Sequence, residues 1–163
     1  IKKYRNDVNI GEYANRSLAI QKASGSYLIF IDGDDIMYPH ALETYAGYAT
    51  SFPGCAMLFS RAWDPRIRCP YKAEPLDLYR FEYLDSTIMG GNFTYVVFKT
   101  SVIKTYSFPP GIRSGDTYIQ LKMAQRFSGL VIPAGQTWWR RRKGNATENL
   151  FRDFRYGRSN YSF

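Results

Sequence analysis

The chain has 163 residues, 45% of them hydrophobic and 17% aromatic, a globular composition sized for one domain with its own core. Two cysteines, Cys55 and Cys69, are too few for a disulfide scaffold and lack zinc-site spacing, so a reducing compartment is the default, and no apolar run reaches the length of a spanning helix. Lysine and arginine number 22 against 14 acids, a net +8 concentrated in "WWRRRK", which calls for an anionic partner: a phosphorylated small molecule, an acidic membrane surface or nucleic acid.

Nucleic acid is disfavoured, because the chain carries no helix-turn-helix, zinc-finger or RNP pattern. His40 is the single histidine, so chemistry that needs an imidazole must use it or do without. The first residues hold neither an apolar signal segment nor an initiator methionine, and the chain reads as cut from a longer one.

Taken in order, residues 9–24 place Ile10, Ala14 and Leu18 four apart and Ile20 and Ala23 three apart, which predicts an amphipathic helix stopped by Gly25. Residues 27–31 are a continuous apolar run, a strand expected to be buried on both faces. Pro39 fits the first turn of a helix over 39–51, ended by "FPG". Residues 55–60 form a second strand, 61–75 a Pro- and Arg-rich surface loop, 92–98 a third strand, and 101–106 one or two helical turns. Ile119, Met123 and Phe127 give the core stripe of a helix over 116–127, with Ser114 or Asp116 near its cap. Short strands over 130–132 and 136–141 and a closing helix over 146–156 complete the reading: helices alternating with buried strands, an α/β chain without internal repeats.

"SYLIFIDGDD" carries the chemistry. Three aspartates within four positions repel one another unless a cation sits among them, and they follow a buried strand, where open α/β sheets place their ligands. Gly33 is expected to let the backbone turn sharply, so that Asp32 and Asp34 aim into one pocket. Hard oxygen ligands suit Mg2+ or Mn2+, which bind substrate phosphates in their remaining positions, so the cluster reads as a diphosphate-holding site. A helix cap would need one acid, not three. An EF-hand would need acids at alternate positions, where Ile36, Tyr38 and His40 stand. Haloacid-dehalogenase-like phosphatases continue D-x-D with Gly and Thr or Val, whereas Asp34 is followed by Asp35 and Ile36.

The wider stretch "NIGEYANRSLAIQKASGSYLIFIDGDDIMYP" resembles the central signature of family 2 glycosyltransferases with the GT-A fold. Asn9, Gly11, Ala14, Arg16, Ala23, Gly25, Tyr27, Asp32, Asp34, Asp35 and Pro39 fall on that pattern, while Ser17 and Ala19 depart from it. Gly115 and Asp116 match the end of the family's G-E-D motif, with Gly in place of the usual Glu, and "WWRRRKGNATEN" is similar to the segment that follows. The resemblance implies a GT-A mixed sheet flanked by helices. It makes residues 1–163 a single domain lacking its first βαβ nucleotide-binding portion, with a metal and diphosphate half over 1–60 and an acceptor half over 61–163.

It also implies inverting transfer of a sugar from a nucleotide-diphosphate donor to a glycan or lipid-linked acceptor, in polysaccharide or glycolipid synthesis. The site would lie in the cytoplasm, with peripheral contact to an acidic inner membrane face. Asp34 and Asp32 would hold Mn2+ or Mg2+, and Asp116 would serve as the base, against a plain N-cap role. Arg16, Arg140 and Arg142 would approach the donor phosphates, and Trp138 would stack on a sugar. A non-catalytic glycan- or anion-binding module on the same fold is the rival reading.

Overall fold

The computed structural model describes residues 2–62, 67–85, 88–89 and 92–140. The chain begins with α1 (Glu12–Lys22), β1 (Tyr27–Ile29), β2 (Ile36–Met37), α2 (Ala41–Ser51) and β3 (Met57–Ala62). Next come β4 (Tyr71–Ala73) and α3 (Pro75–Arg80), which runs into a π-helical turn (Phe81–Asp85). A 3-10 turn (Phe93–Tyr95), β5 (Val96–Lys99), α4 (Thr100–Ile103), α5 (Gly115–Ala124), β6 (Gly129–Pro133) and β7 (Thr137–Trp138) follow. A sheet of order β1-β5-β3-β6-β4 has one parallel pairing, β3 with β6, and is otherwise antiparallel. β2 and β7 form a separate antiparallel ribbon, Ile36 opposite Trp138 and Met37 opposite Thr137. The expected α/β class with a mixed sheet is the one the chain adopts.

Because successive strand residues point to opposite faces, the sheet divides its apolar side chains between two cores. Leu58, Val97, Leu130 and Ile132 pack with Ala41, Tyr45 and Ala49 of α2. Met57, Phe59, Phe98 and Val131 pack on the other face with Ile20 of α1, Leu78 of α3, Ile103 of α4, and Ile119 and Met123 of α5. Each such side chain, fully buried, contributes about 1.5–3 kcal/mol. Together they fix the frame from which the loops at the strand ends project.

Several local expectations change. The helix starts at Glu12, because Gly11 adopts φ +82, and its inward residues are Tyr13, Arg16, Ser17 and Ile20. Ile10 and Leu18, from the apolar stripe, are exposed. An arginine on the inward face defeats apolar periodicity. β1 is a half-buried edge strand, and not one buried on both faces, since it pairs on one side with β5. Residues 61–75, expected as a loop, contain β4, whose Ala73 is buried while Tyr71 and Lys72 face outward, so its composition reads as surface. Asn92 accepts the Thr94 N–H at 3.1 Å, which makes the start of the third strand a 3-10 turn. The strand expected over 136–141 is β7 alone within the described residues, and the closing helix over 146–156 lies outside them.

Candidate active site

Beyond β1 the chain turns on itself, the Asp35 N–H donating to the Asp32 C=O at 2.9 Å. Gly33 is not in the left-handed region, and a Cβ there would meet nothing within 4 Å, so this turn does not itself demand glycine. The three aspartates leave the turn in three different environments.

Asp32 faces α1. Arg16 Nη2 donates to both of its oxygens, at 3.0 and 3.1 Å, and to Glu12 Oε1 at 3.1 Å. The Arg16 side chain is only 13% exposed against 39% for Asp32, and its guanidinium lies 5.5 Å from the Phe30 ring centroid and 5.1 Å from that of Phe93. Cation–π attraction and charge pairing hold one planar group in place. Its Nε is buried without a hydrogen-bond partner.

Asp35 faces the 3-10 turn and the end of β7. Its carboxylate accepts from the Thr94 hydroxyl in a short contact, from Asn92 Nδ2 at 3.2 Å and from the Arg140 N–H at 3.3 Å. Arg140 Nε donates in turn to the Asp34 C=O at 2.8 Å, and the Thr137 hydroxyl donates to the Thr94 C=O at 3.1 Å. The acid turn, the 3-10 turn and β7 are thereby tied together. Asp34 differs from both neighbours, because its half-buried carboxylate has no hydrogen-bonding partner among the described residues.

Asp116 lies in the first turn of α5, one residue inside the helix, with Ser114 at the cap position. The N–H of Thr117 donates to its Oδ1 at 2.9 Å. Burial is the largest influence on this carboxyl and pushes its pKa above the ordinary aspartate range; Glu12 adds to the rise, while the Thr117 N–H and Arg16 act against it. Desolvation outweighs the backbone N–H groups at the helix start.

The sequence candidates therefore gather as follows. Arg16 and Asp32 are paired, Asp34 is open, and Arg140 braces the acid turn through Nε. Asp116 feels the charges of Glu12 and Arg16. Trp138 is 50% exposed on β7, two residues before Arg140. Arg142 lies outside the described residues. Sequence reasoning missed Glu12, Asn92 and Thr94: a Glu four residues before Arg16 and an Asn-x-Thr opening an apolar strand were the available signals.

Among the described residues no group of three or more His, Cys, Asp or Glu side chains is placed to hold a metal ion. Magnesium-like ions are held by as few as one or two carboxylates, and of the three aspartates only Asp34 has a carboxylate that no described residue engages.

The sequence pattern of the family described as "Glycosyl transferase family 2" matches residues 1–145. The chain belongs to glycosyl transferase family 2. Two solved structures share the fold of this family 2 chain. The crystal structure of S. aureus TarS 1-349 superposes with a TM-score of 0.58 at 18% identity, over 80% of this chain and 40% of that one. The same TarS fragment in complex with UDP-GlcNAc gives 0.61 at 16% identity, over 85% and 41%. This family 2 chain thus spans about two fifths of the length of those neighbours. A comparison with curated proteins gave no match.

Proposed function

We propose that this family 2 chain serves a metal-dependent, inverting transfer of a sugar from a nucleotide-diphosphate donor to an acceptor hydroxyl. The observation that carries the reading is the contrast between two acids: Asp34, whose carboxylate has no hydrogen-bonding partner among the described residues of a turn braced from both sides, and Asp116, desolvated at a helix start. One is suited to share an ion with a diphosphate, the other to accept a proton. The family membership supports the same reaction class, and a TarS neighbour was crystallised with UDP-GlcNAc.

In this mechanism the acceptor hydroxyl attacks the anomeric carbon as the diphosphate departs. Asp116 takes the hydroxyl proton, for which a carboxylate pKa raised toward the working pH is an advantage. Arg16 holds Asp32 in place, and Asp35 anchors the turn so that the Asp34 carboxylate keeps its position. Mg2+ or Mn2+ bound at Asp34 would stabilise the charge gathering on the leaving diphosphate. Trp138 offers an exposed aromatic face to an acceptor sugar, the glycan or lipid-linked chain of a polysaccharide or glycolipid pathway. Residues 1–60 supply the diphosphate side and 61–163 the acceptor side of one domain, at work in the cytoplasm or against the acidic inner face of a membrane. No helix among the described residues is long and apolar enough to cross one.

The test is a screen of sugar nucleotides for manganese-dependent hydrolysis or transfer, with Asp34→Ala alongside. Turnover that disappears in the folded variant supports the reading. Equal turnover, or ligand binding without turnover in both proteins, replaces it with the binding-module reading.

A further inference from the structure

We propose that Tyr13 is a positioning residue for Asp116: its ring, seated on Gly115 at the start of α5, shields that carboxylate from solvent. This rests on the role given to Asp116 above.

Gly115 is buried, and a Cβ built on it would meet Tyr13 Cε1 at 2.5 Å, Tyr13 Cδ1 at 2.6 Å and Phe108 Cδ1 at 2.9 Å. The Tyr13 ring therefore lies directly against the α5 backbone, where any side chain at position 115 would stand. Phe108 backs it, with ring centroids 5.1 Å apart. The phenol reaches past the glycine and donates to the Arg113 C=O at 3.0 Å. One side chain of α1 thus grips the residues on both sides of position 114, its ring covering the backbone immediately before Asp116.

The electrostatics agree with this placement. Burial raises the Tyr13 phenol, and the charge of Asp116 raises it further. Glu12 and Arg16, both of α1, act on Asp116 with opposite sign, and the Asp116 charge in turn acts on the Tyr13 phenol. Glu12 and Arg16 oppose each other, so the apolar ring is the part of α1 whose removal changes the solvation of the carboxylate. The glycine at 115 and the tyrosine at 13 then form one device: the first makes room that the second fills.

The experiment follows the Asp116 carboxyl carbon by NMR titration in the unsubstituted protein, Tyr13→Phe and Tyr13→Ala, beside the pH profile of kcat/KM for transfer. Tyr13→Phe keeps the ring and loses the hydroxyl's bonds to the backbone at Arg113 and Gly115, so its Asp116 midpoint stays with the unsubstituted protein. Tyr13→Ala admits water and lowers the midpoint by roughly half a unit or more, and the acid limb of the rate profile moves with it. An unchanged midpoint in Tyr13→Ala overturns the proposal. Should that variant fail to fold, the unsubstituted protein decides: Tyr13 ring protons that shift with the Asp116 midpoint support the shielding, and ring protons indifferent to it overturn it. A midpoint that moves while the rate profile stays still keeps the shielding and removes Asp116 as the base.

Discussion

The acid turn after β1 and the first turn of α5 each set an aspartate within the influence of α1, and they treat their aspartates in opposite ways. At the turn, charge is met with charge and hydrogen bonds: Arg16 takes Asp32, and Thr94, Asn92 and the Arg140 N–H take Asp35. At α5 burial dominates, and among the described residues Asp116 has its own helix backbone as hydrogen-bond donor. The same side chain meets partners that stabilise its charged form in one place and desolvation that penalises it in the other.

Breaking the second half of that contrast has the largest effect. Asp116→Asn lowers kcat by about 10²–10⁴-fold, the range for a positioned acid or base, with Tm at pH 7 unchanged or higher; steady-state assays and thermal melts read both. The turn is the next test. Thr94→Val removes the hydroxyl from the Asp35 carboxylate and costs about 1–3 kcal/mol of stability, seen as a lower denaturant midpoint with reduced turnover, and Thr94→Ser restores both.

A smaller effect is the pH dependence of folding. The folded-state pKa of Asp116 lies above the unfolded value of about 3.9, so its contribution to stability is complete below that value and is lost as pH rises through the raised folded one. Asp116→Asn lacks this loss, and its Tm advantage over the parent widens across the same interval and then levels off. Smallest is Arg16→Lys, which keeps the charge on Asp32 but gives up the planar group against the Phe30 and Phe93 rings, costing about 0.5–2 kcal/mol in chemical denaturation.

These outcomes bear on what the sequence could disclose. The α5 stripe, the α2 start near Pro39 and the β3 run were legible because their inward residues are apolar and regularly spaced. The inward face of α1 was not, because Arg16 occupies it for a reason that lies 16 residues away, in Asp32. Crowded carboxylates announced a site, yet nothing local divided the labour among Asp32, Asp34 and Asp35. That division is made by partners at 92, 94 and 140, which only the folded sheet brings near. Likewise the burial of Asp116 is invisible along the chain, since α1 shapes its surroundings.

The ribbon of β2 with β7 joins Ile36–Met37 to Thr137–Trp138 across some hundred residues of intervening chain. So distant a pairing pays its loop-closure entropy before it returns any contact energy. A growing polypeptide that has not yet released residues 137–140 holds its aspartate loop through Arg16, Asn92 and Thr94 alone, and the Arg140 bonds that complete its partners among the described residues arrive only with β7.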